Sequence, residues 1–158
     1  MNKLKKVHIY IDGAARGNPG PAGVGIVITD ESGASIENIS KAIGNTTNNV
    51  AEYTALVFGM EAARNLGAKG LVINTDSELL AKQLGGEYKV KAPTLKGLYA
   101  KVMQILKSFD DVAVNQIPRE ENKDADKLAN KALDNAGTKR VGKSFVLKSK
   151  KTVPDSLF

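Results

Sequence analysis

The architecture of the chain follows from one segment, Ile9-Tyr-Ile-Asp12-Gly-Ala-Ala-Arg-Gly-Asn18-Pro-Gly-Pro-Ala-Gly-Val-Gly-Ile-Val-Ile28. It contains an apolar strand that ends at Asp12, a turn rich in glycine and proline, and a second apolar strand. A phosphate-binding loop or a dinucleotide-binding fingerprint needs a helix directly after its glycines, whereas a β-branched strand follows here. The segment therefore predicts a β-hairpin. The small residues 13–15 leave room beside the Asp12 carboxylate for a metal ion or a phosphate, although Asp12 could also be an ordinary turn residue.

Strands and helices are predicted to alternate through the rest of the chain. A third strand completes an antiparallel meander, and helices with apolar stripes then alternate with short apolar strands. Thr94 is predicted to cap the third helix. This order is typical of a single α/β domain. The predicted strands cover residues 7–12, 23–29, 34–43, 70–76 and 112–117, and the predicted helices cover residues 50–66, 77–84, 94–109 and 122–135.

The composition excludes several classes of site. The 158 residues include no cysteine and one histidine, His8, so disulfides, thiol catalysis and histidine-rich zinc sites are excluded. There is no signal peptide and no apolar run long enough to span a bilayer, which predicts a cytoplasmic protein without membrane contact. The net charge is +6, and residues 137–158 hold six basic residues and one acid, so this tail carries five of the six net charges.

Four acidic residues stand at the ends of predicted elements. Asp12 and Asp76 close strands, while Glu52 and Asp126 open helices. If the first and fourth strands are parallel neighbours, both aspartates lie in the crevice at their carboxyl ends, where open α/β sheets bind ligands. Clustered carboxylates repel one another unless cations neutralise them, and Mg²⁺, followed by Mn²⁺, suits an all-oxygen site. Two such ions could promote phosphodiester hydrolysis without a histidine or cysteine nucleophile.

Four blocks of the sequence resemble the signature blocks of type 1 ribonuclease H, in the order of that family. The resemblance implies the ribonuclease H-like α/β fold, with a five-stranded mixed sheet in the order 3-2-1-4-5 flanked by helices. The domain would cover residues 1–136, followed by a basic tail over 137–158 that could add an edge strand at 144–147. The blocks are Asp12-Gly with Asn18-Pro-Gly-Pro-Ala-Gly, Thr46-Thr-Asn-Asn-Val-Ala-Glu52, Asn74-Thr-Asp76-Ser and Asn122-Lys-Asp-Ala-Asp126-Lys-Leu-Ala129.

The resemblance also implies an activity and the residues that carry it. A member of this family is an endonuclease that hydrolyses the RNA strand of RNA/DNA hybrids and leaves 5′-phosphate and 3′-hydroxyl ends, and we expect it to act as a monomer. By the family's pattern, Asp12 would bridge two Mg²⁺ ions, Glu52 and Asp76 would hold one, and Asp126 would hold the other. The residues expected to contact the hybrid are Asn18, Thr47, Asn48 and Asn49.

The chain departs from the family pattern in two places. Where the family often has a histidine, the chain has Gln116, which cannot titrate, and Arg119 is the nearest cation; either could replace the histidine at the substrate. The connector over residues 85–93 is too short for the extra helix and basic handle of some relatives. Lys82, Lys89, Lys91 and the tail are candidate substitutes. A DNA nuclease on the same fold and a non-catalytic hybrid-binding module stay open as alternatives.

Overall fold

Five strands form one mixed sheet in a computed structural model that describes residues 5–137. Across the sheet the third strand comes first, followed by the second, first, fourth and fifth, which confirms the predicted order. The first three strands are antiparallel neighbours, and the first, fourth and fifth run parallel. The predicted strand over 144–147 lies outside the described residues. The strands are β1 (Lys6–Ala15), β2 (Gly20–Asp30), β3 (Ser35–Thr46), β4 (Gly70–Thr75) and β5 (Asp111–Gln116).

All four predicted helices are present, but each begins one or two residues from its predicted start, and the third ends at Leu106 rather than at Phe109. The first helix begins at Asn48 rather than Val50, because the Thr47 hydroxyl accepts a hydrogen bond from the Val50 N–H at 3.2 Å and caps it. The third helix begins at Pro93, so the prediction that Thr94 caps it is wrong; proline suits the first helical position because it has no N–H to satisfy. The helices are α1 (Asn48–Asn65), α2 (Glu78–Leu84), α3 (Pro93–Leu106) and α4 (Lys123–Asn135).

Helices cover both faces of the sheet. Successive strand residues point to opposite faces. Ile9 and Ile11 point toward Gly59 of α1, whereas Asp12 and its partner Gly25 on β2 point toward α4. The largest group of buried apolar side chains lies between the sheet, α1 and α3. Asp12 is therefore on the face opposite this main core.

Two glycines let these helices lie directly against the sheet backbone. A Cβ on Gly13 would lie 2.2 Å from the Ala51 carbonyl carbon of α1, and a Cβ on Gly25 would lie 2.0 Å from the Ala125 carbonyl oxygen of α4. Both distances are far inside van der Waals contact, so only glycine fits. The predicted open space beside Asp12 is therefore wrong at Gly13, because the backbone of α1 fills it.

The first strand continues past the residue at which it was predicted to end. Antiparallel pairing with β2 runs on to Ala15, whereas parallel pairing with β4 stops at Ile11 and Thr75. Asp12 is the first residue beyond this parallel ladder, and it is 7% exposed. Asp76 directly follows Thr75 on the neighbouring strand. The two aspartates thus lie side by side at the carboxyl end of the β1–β4 pair, as expected for an α/β ligand site.

Candidate active site

Three carboxylates from different elements meet at the end of the β1–β4 pair. Asp12, Glu52 and Asp76 each offer one oxygen, and these oxygens lie within 4.8 Å of one another. Oxygens that share one Mg²⁺ lie up to about 4.2 Å apart, which is twice the usual bond length. Small side-chain movements would therefore let all three bind one ion. A donor set made only of carboxylate oxygens favours Mg²⁺ or Mn²⁺ over softer metals.

Glu52 reaches the site because α1 lies so close to β1. Its Oε1 accepts a hydrogen bond from the Gly13 N–H at 3.1 Å. Since α1 begins at Asn48, Glu52 lies in the second turn of the helix, and the expectation that it opens the helix is wrong. A simple interaction with the helix dipole, which acts within the first turn, does not account for this carboxylate.

Asp126 joins the other three acids from α4, on the face of the sheet opposite α1 and Glu52. It lies in the first turn of α4, as predicted, and its side chain is close enough to share a hydrogen bond with Asp12. Asp124, the neighbouring acid, instead lines a cavity of about 450 Å³ with Tyr10 and Thr29. The close contact of α4 with Gly25 brings the start of this helix to the sheet. We refer to Asp12, Glu52, Asp76 and Asp126 as the carboxylate cluster.

Electrostatic repulsion is strong within the carboxylate cluster. Burial, followed by the charges of Asp76 and Asp126, raises the pKa of Asp12 from 3.8 to about 8. Burial and the charges of Asp12 and Asp76 also raise the pKa of Glu52 well above its usual value. Arg119 lowers both pKa values, so its guanidinium lies near the cluster. A bound divalent cation would offset the same repulsion more strongly, which is a second reason why the site fits a metal.

Asn122 links the elements that carry the cluster, and the sequence analysis assigned it no role. The side chain is 1% exposed, and its Nδ2 donates to the Ile11 carbonyl at 2.8 Å and to Asp76 Oδ2 at 3.1 Å. Its backbone carbonyl accepts from the Asp126 N–H at 3.1 Å. The side chain does not cap the helix but holds β1 and Asp76 instead.

Four of the predicted hybrid-binding residues form a ledge between β1 and α1, which consists of Asn18, Thr47, Asn48 and Asn49. Asn18 Oδ1 accepts from the Asn48 N–H at 3.0 Å, and Asn48 Oδ1 accepts from the Ala15 N–H at 2.8 Å. Both side chains are exposed and use their oxygens in these bonds, so a ligand would meet their NH₂ groups as donors. Thr47 caps α1 beside them, and Asn49 is exposed in the first turn of that helix.

Gln116 occupies the family's histidine position and Arg119 is the nearest cation, and the two residues differ in their relation to the carboxylate cluster. Gln116 is the exposed last residue of β5 and pairs with Thr75, next to Asp76. Arg119 opens a short 3₁₀ turn, Arg119–Glu121, and places positive charge near Asp12 and Glu52. The structure therefore brings both residues to the same end of the sheet. Arg119 is close enough to Asp12 and Glu52 to lower their pKa values.

The candidate lysines of the short connector lie on a different part of the surface. Lys82 packs over the Tyr88 ring, 5.2 Å from its centroid, and pairs with Glu78 at 3.4 Å. Lys89 and Lys91 are exposed. In the described chain α2 is followed directly by α3, so the connector over residues 85–93 contains no extra helix.

None of the helices between residues 5 and 137 combines the length and apolar character needed to cross a membrane.

Sequence comparisons identify related proteins over most of the chain. The family model described as "Reverse transcriptase-like" matches residues 10–132. Ribonuclease HI of Halobacterium salinarum is 43% identical over 131 residues, a match that covers 83% of this chain and 66% of that protein. A bifunctional protein of Mycobacterium tuberculosis is 42% identical over 132 residues, which covers 83% of this chain and 36% of that protein. The chain thus spans two thirds or less of the length of these curated relatives.

Solved structures agree with these sequence matches. The crystal structure of RNase H1 from Halobacterium salinarum has a TM-score of 0.81 and 43% identity, and the match covers 83% of this chain and 99% of that one. LC11-RNase H1 in complex with an RNA/DNA hybrid has a TM-score of 0.79 and 47% identity, with 82% and 98% of the two chains covered. Family, fold and sequence blocks coincide, and the chain belongs to the type 1 ribonuclease H family.

Proposed function

We propose that the protein is a metal-dependent endonuclease that hydrolyses the RNA strand of RNA/DNA hybrids. The observation that carries this proposal is the carboxylate cluster, in which Asp12, Glu52 and Asp76 offer oxygens within 4.8 Å of one another and Asp126 reaches Asp12. The substrate class is supported by LC11-RNase H1, a relative at 47% identity whose structure contains such a hybrid.

The cluster would hold two divalent ions when the hybrid is present. Asp12 is close to Glu52, Asp76 and Asp126 and would contact both ions, Glu52 and Asp76 would complete one site, and Asp126 would complete the other. Mg²⁺ is the proposed ion, with Mn²⁺ as the alternative, because both prefer oxygen ligands. When bound, these ions supply activation of water and stabilisation of the charge that develops on the phosphate.

The reaction is hydrolysis of one phosphodiester bond in the RNA strand. The oxygen of a water molecule forms a bond to phosphorus, and the bond between phosphorus and the 3′ oxygen breaks. The water proton passes to solvent and the departing 3′ oxygen takes up a proton, which leaves 5′-phosphate and 3′-hydroxyl ends. Gln116 cannot accept a proton, so we assign it a hydrogen bond to the substrate. The Arg119 guanidinium would contribute positive charge beside the scissile phosphate.

Recognition of the hybrid is assigned to the ledge beside the cluster. The NH₂ groups of Asn18, Asn48 and Asn49 can donate to ribose 2′-hydroxyls or to base edges, and the 2′-hydroxyl is the group that distinguishes RNA from DNA. The Thr47 hydroxyl uses its oxygen as the α1 cap acceptor and can still donate its proton to a DNA phosphate.

We also propose separate roles for the two parts of the chain. Residues 1–136 would form the catalytic domain, and the basic residues of 137–158 would strengthen binding through the phosphate backbone. Within the described residues, Tyr88 is the one exposed large hydrophobic side chain, which supports action as a monomer because stable oligomers need a larger apolar surface.

A substrate panel tests the proposal. Labelled RNA/DNA, RNA/RNA and DNA/DNA duplexes would each be incubated with Mg²⁺, Mn²⁺ or a chelator, and the ends of the products analysed. We expect cleavage of RNA in RNA/DNA alone, dependent on the metal, with 5′-phosphate ends. Cleavage of DNA/DNA would favour a DNA nuclease, and salt-sensitive hybrid binding without cleavage would favour a binding module. Either result contradicts the proposal.

A further inference from the structure

Arg16 is a buried cation that connects the end of β1 to α4. Arg16 is 5% exposed, although it lies in the loop directly after β1. One guanidinium nitrogen, Nη2, lies 2.8 Å from Asp134 Oδ1 and donates to Asn130 Oδ1 at 3.1 Å and to the Asn130 carbonyl at 3.3 Å. A guanidinium removed from water is costly unless it is paired, so these contacts hold Arg16 against α4.

Asn130 passes this connection on to the carboxylate cluster. Its Nδ2 donates to Asp126 Oδ1 at 3.2 Å and to the Asp126 carbonyl at 3.0 Å. Asp126, Asn130 and Asp134 are spaced by one helical turn, so they lie along one side of α4. Arginine is purely a donor, so the Asn130 oxygen must face Arg16 and its NH₂ group must then face Asp126.

We propose that Arg16 and Asn130 are positioning residues that hold the Asp126 carboxylate toward Asp12. This rests on the proposed function, in which Asp126 is a metal ligand. Asp126 is exposed, unlike Asp12, and its carboxylate does not belong to the group of three whose oxygens lie within 4.8 Å. A side-chain restraint is therefore what keeps it available to an ion, since exposed aspartates otherwise exchange between rotamers.

A single exchange of nitrogen for oxygen tests the role of Asn130. Asn130→Asp keeps the volume and the oxygen that faces Arg16, but removes the donors to Asp126. We expect the Mg²⁺ concentration for half-maximal cleavage of saturating hybrid to rise about tenfold or more. At saturating Mg²⁺, kcat and the KM for hybrid should return toward wild-type values. Asn130→Gln, which restores an amide, should recover part of the shift. Asn135→Asp makes the same change at an exposed position of α4 and serves as the control.

A double variant tests whether Arg16 acts through Asn130. Arg16→Met should shift the Mg²⁺ midpoint in the same direction as Asn130→Asp. The variant that carries both changes should shift it no further than Asn130→Asp alone, because both changes break one connection. Additive shifts would show that Arg16 acts by another route. If Arg16→Met does not fold, the two Asn130 variants still decide the role of Asn130.

A purely structural role predicts a different result. It would lower the melting temperature and the active fraction of Asn130→Asp equally at every Mg²⁺ concentration, and an unchanged midpoint would overturn the inference. Calorimetric titration of Mn²⁺ into the free wild-type and variant proteins separates this inference from the proposed function. Weaker Mn²⁺ binding by the variant supports the positioning role even if no hybrid is cleaved, and equal binding by folded proteins contradicts it.

Discussion

The two sides of the carboxylate cluster are held by different means. Asp12 is 7% exposed and fixed by the strand pairing of β1, and Glu52 is fixed to it through the Gly13 N–H. Asp126 is exposed, and what holds its carboxylate is a chain of side chains through Asn130 to Arg16. One side is thus built from backbone and the other from side-chain hydrogen bonds.

This difference implies a difference in rigidity. Backbone held by a sheet and a closely packed helix moves little, so the backbone that carries Asp12 and Glu52 should keep its position, and only small side-chain movements should accompany ion binding. A carboxylate held by an amide at 3.2 Å can leave that position at a small cost, since one such bond contributes roughly 1 kcal/mol. We therefore expect the Asp12 side to bind metal first and the Asp126 side to respond to substrate and metal concentration.

The largest expected effect comes from the side of the cluster formed by Asp12 and Glu52, which we call the rigid side. Asp12→Asn should lower the rate of hybrid cleavage by about 10³-fold or more, because it removes the charge that both ions would share while it keeps the side-chain volume. The circular dichroism spectrum should stay unchanged. Asp124→Asn alters an exposed acid outside the cluster and should retain full activity. Activity in Asp12→Asn comparable with that of this control would refute the metal assignment.

Added methyl groups at the two glycines should disturb one side each. Gly13→Ala forces α1 away from β1, and Gly25→Ala forces α4 away from β2, since the new Cβ would lie 2.2 and 2.0 Å from helix backbone atoms. We expect each to lower the free energy of unfolding by about 3 kcal/mol, measured by urea denaturation without metal. Gly97→Ala is the matched control, because its Cβ would meet nothing within 4 Å and alanine favours the helix.

The glycine variants also distinguish the two sides by their metal response. If the comparison holds, Gly13→Ala should weaken the first, tighter Mn²⁺ binding event, and Gly25→Ala should spare it and weaken the second. Wild-type stability in both variants would mean that the helices do not need to lie this close to the sheet.

Asn122 touches both sides and should have an intermediate effect. Asn122→Asp puts a carboxylate where an NH₂ group now donates to Asp76 at 3.1 Å and to the Ile11 carbonyl at 2.8 Å. We expect kcat to fall about 10- to 100-fold, as is usual when a partner of a metal ligand is lost. Asn38→Asp, an exposed position on β3, is the control for the added charge. Equal kcat for the two variants would show that Asp76 needs no support from Asn122.

The sequence predicts one side of the cluster better than the other for a physical reason. Asp12 and Asp76 follow apolar strands, and parallel strands end at one edge, so strand periodicity alone brings them together. Glu52 was predicted in the wrong turn because the start of α1 depends on Thr47, whose capping bond is visible only in three dimensions. Arg16 and Asn130 carry no periodic signal, and their contact depends on how a loop meets a distant helix.

Gly13 and Gly25 also show that contacts between distant elements cannot be predicted from the sequence. A sequence records that Gly13 and Gly25 have no side chain, but it does not record what occupies the space. The prediction of room for a ligand beside Gly13 was reasonable from composition, and the backbone of α1 occupies that room instead. Local patterns predict elements and the ends at which acids collect, whereas close approach between elements follows from packing over the whole domain.

The last expected effect is on the free energy of unfolding without metal. Its pH dependence measures how unfavourable it is to ionise Asp12 in the folded protein. The pKa of Asp12 is raised from 3.8 to about 8 in the folded protein. A carboxyl group with a raised folded-state pKa contributes stability that is fully present below pH 3.8 and is lost as the pH rises through 8. Asp12→Asn removes this loss. With chelator present, the free energy of unfolding of the variant should therefore exceed that of the wild type by a margin that grows as the pH rises between these two values. Millimolar Mg²⁺ should stabilise the wild type and narrow the margin, whereas a margin independent of pH would show that Asp12 is already charged without metal.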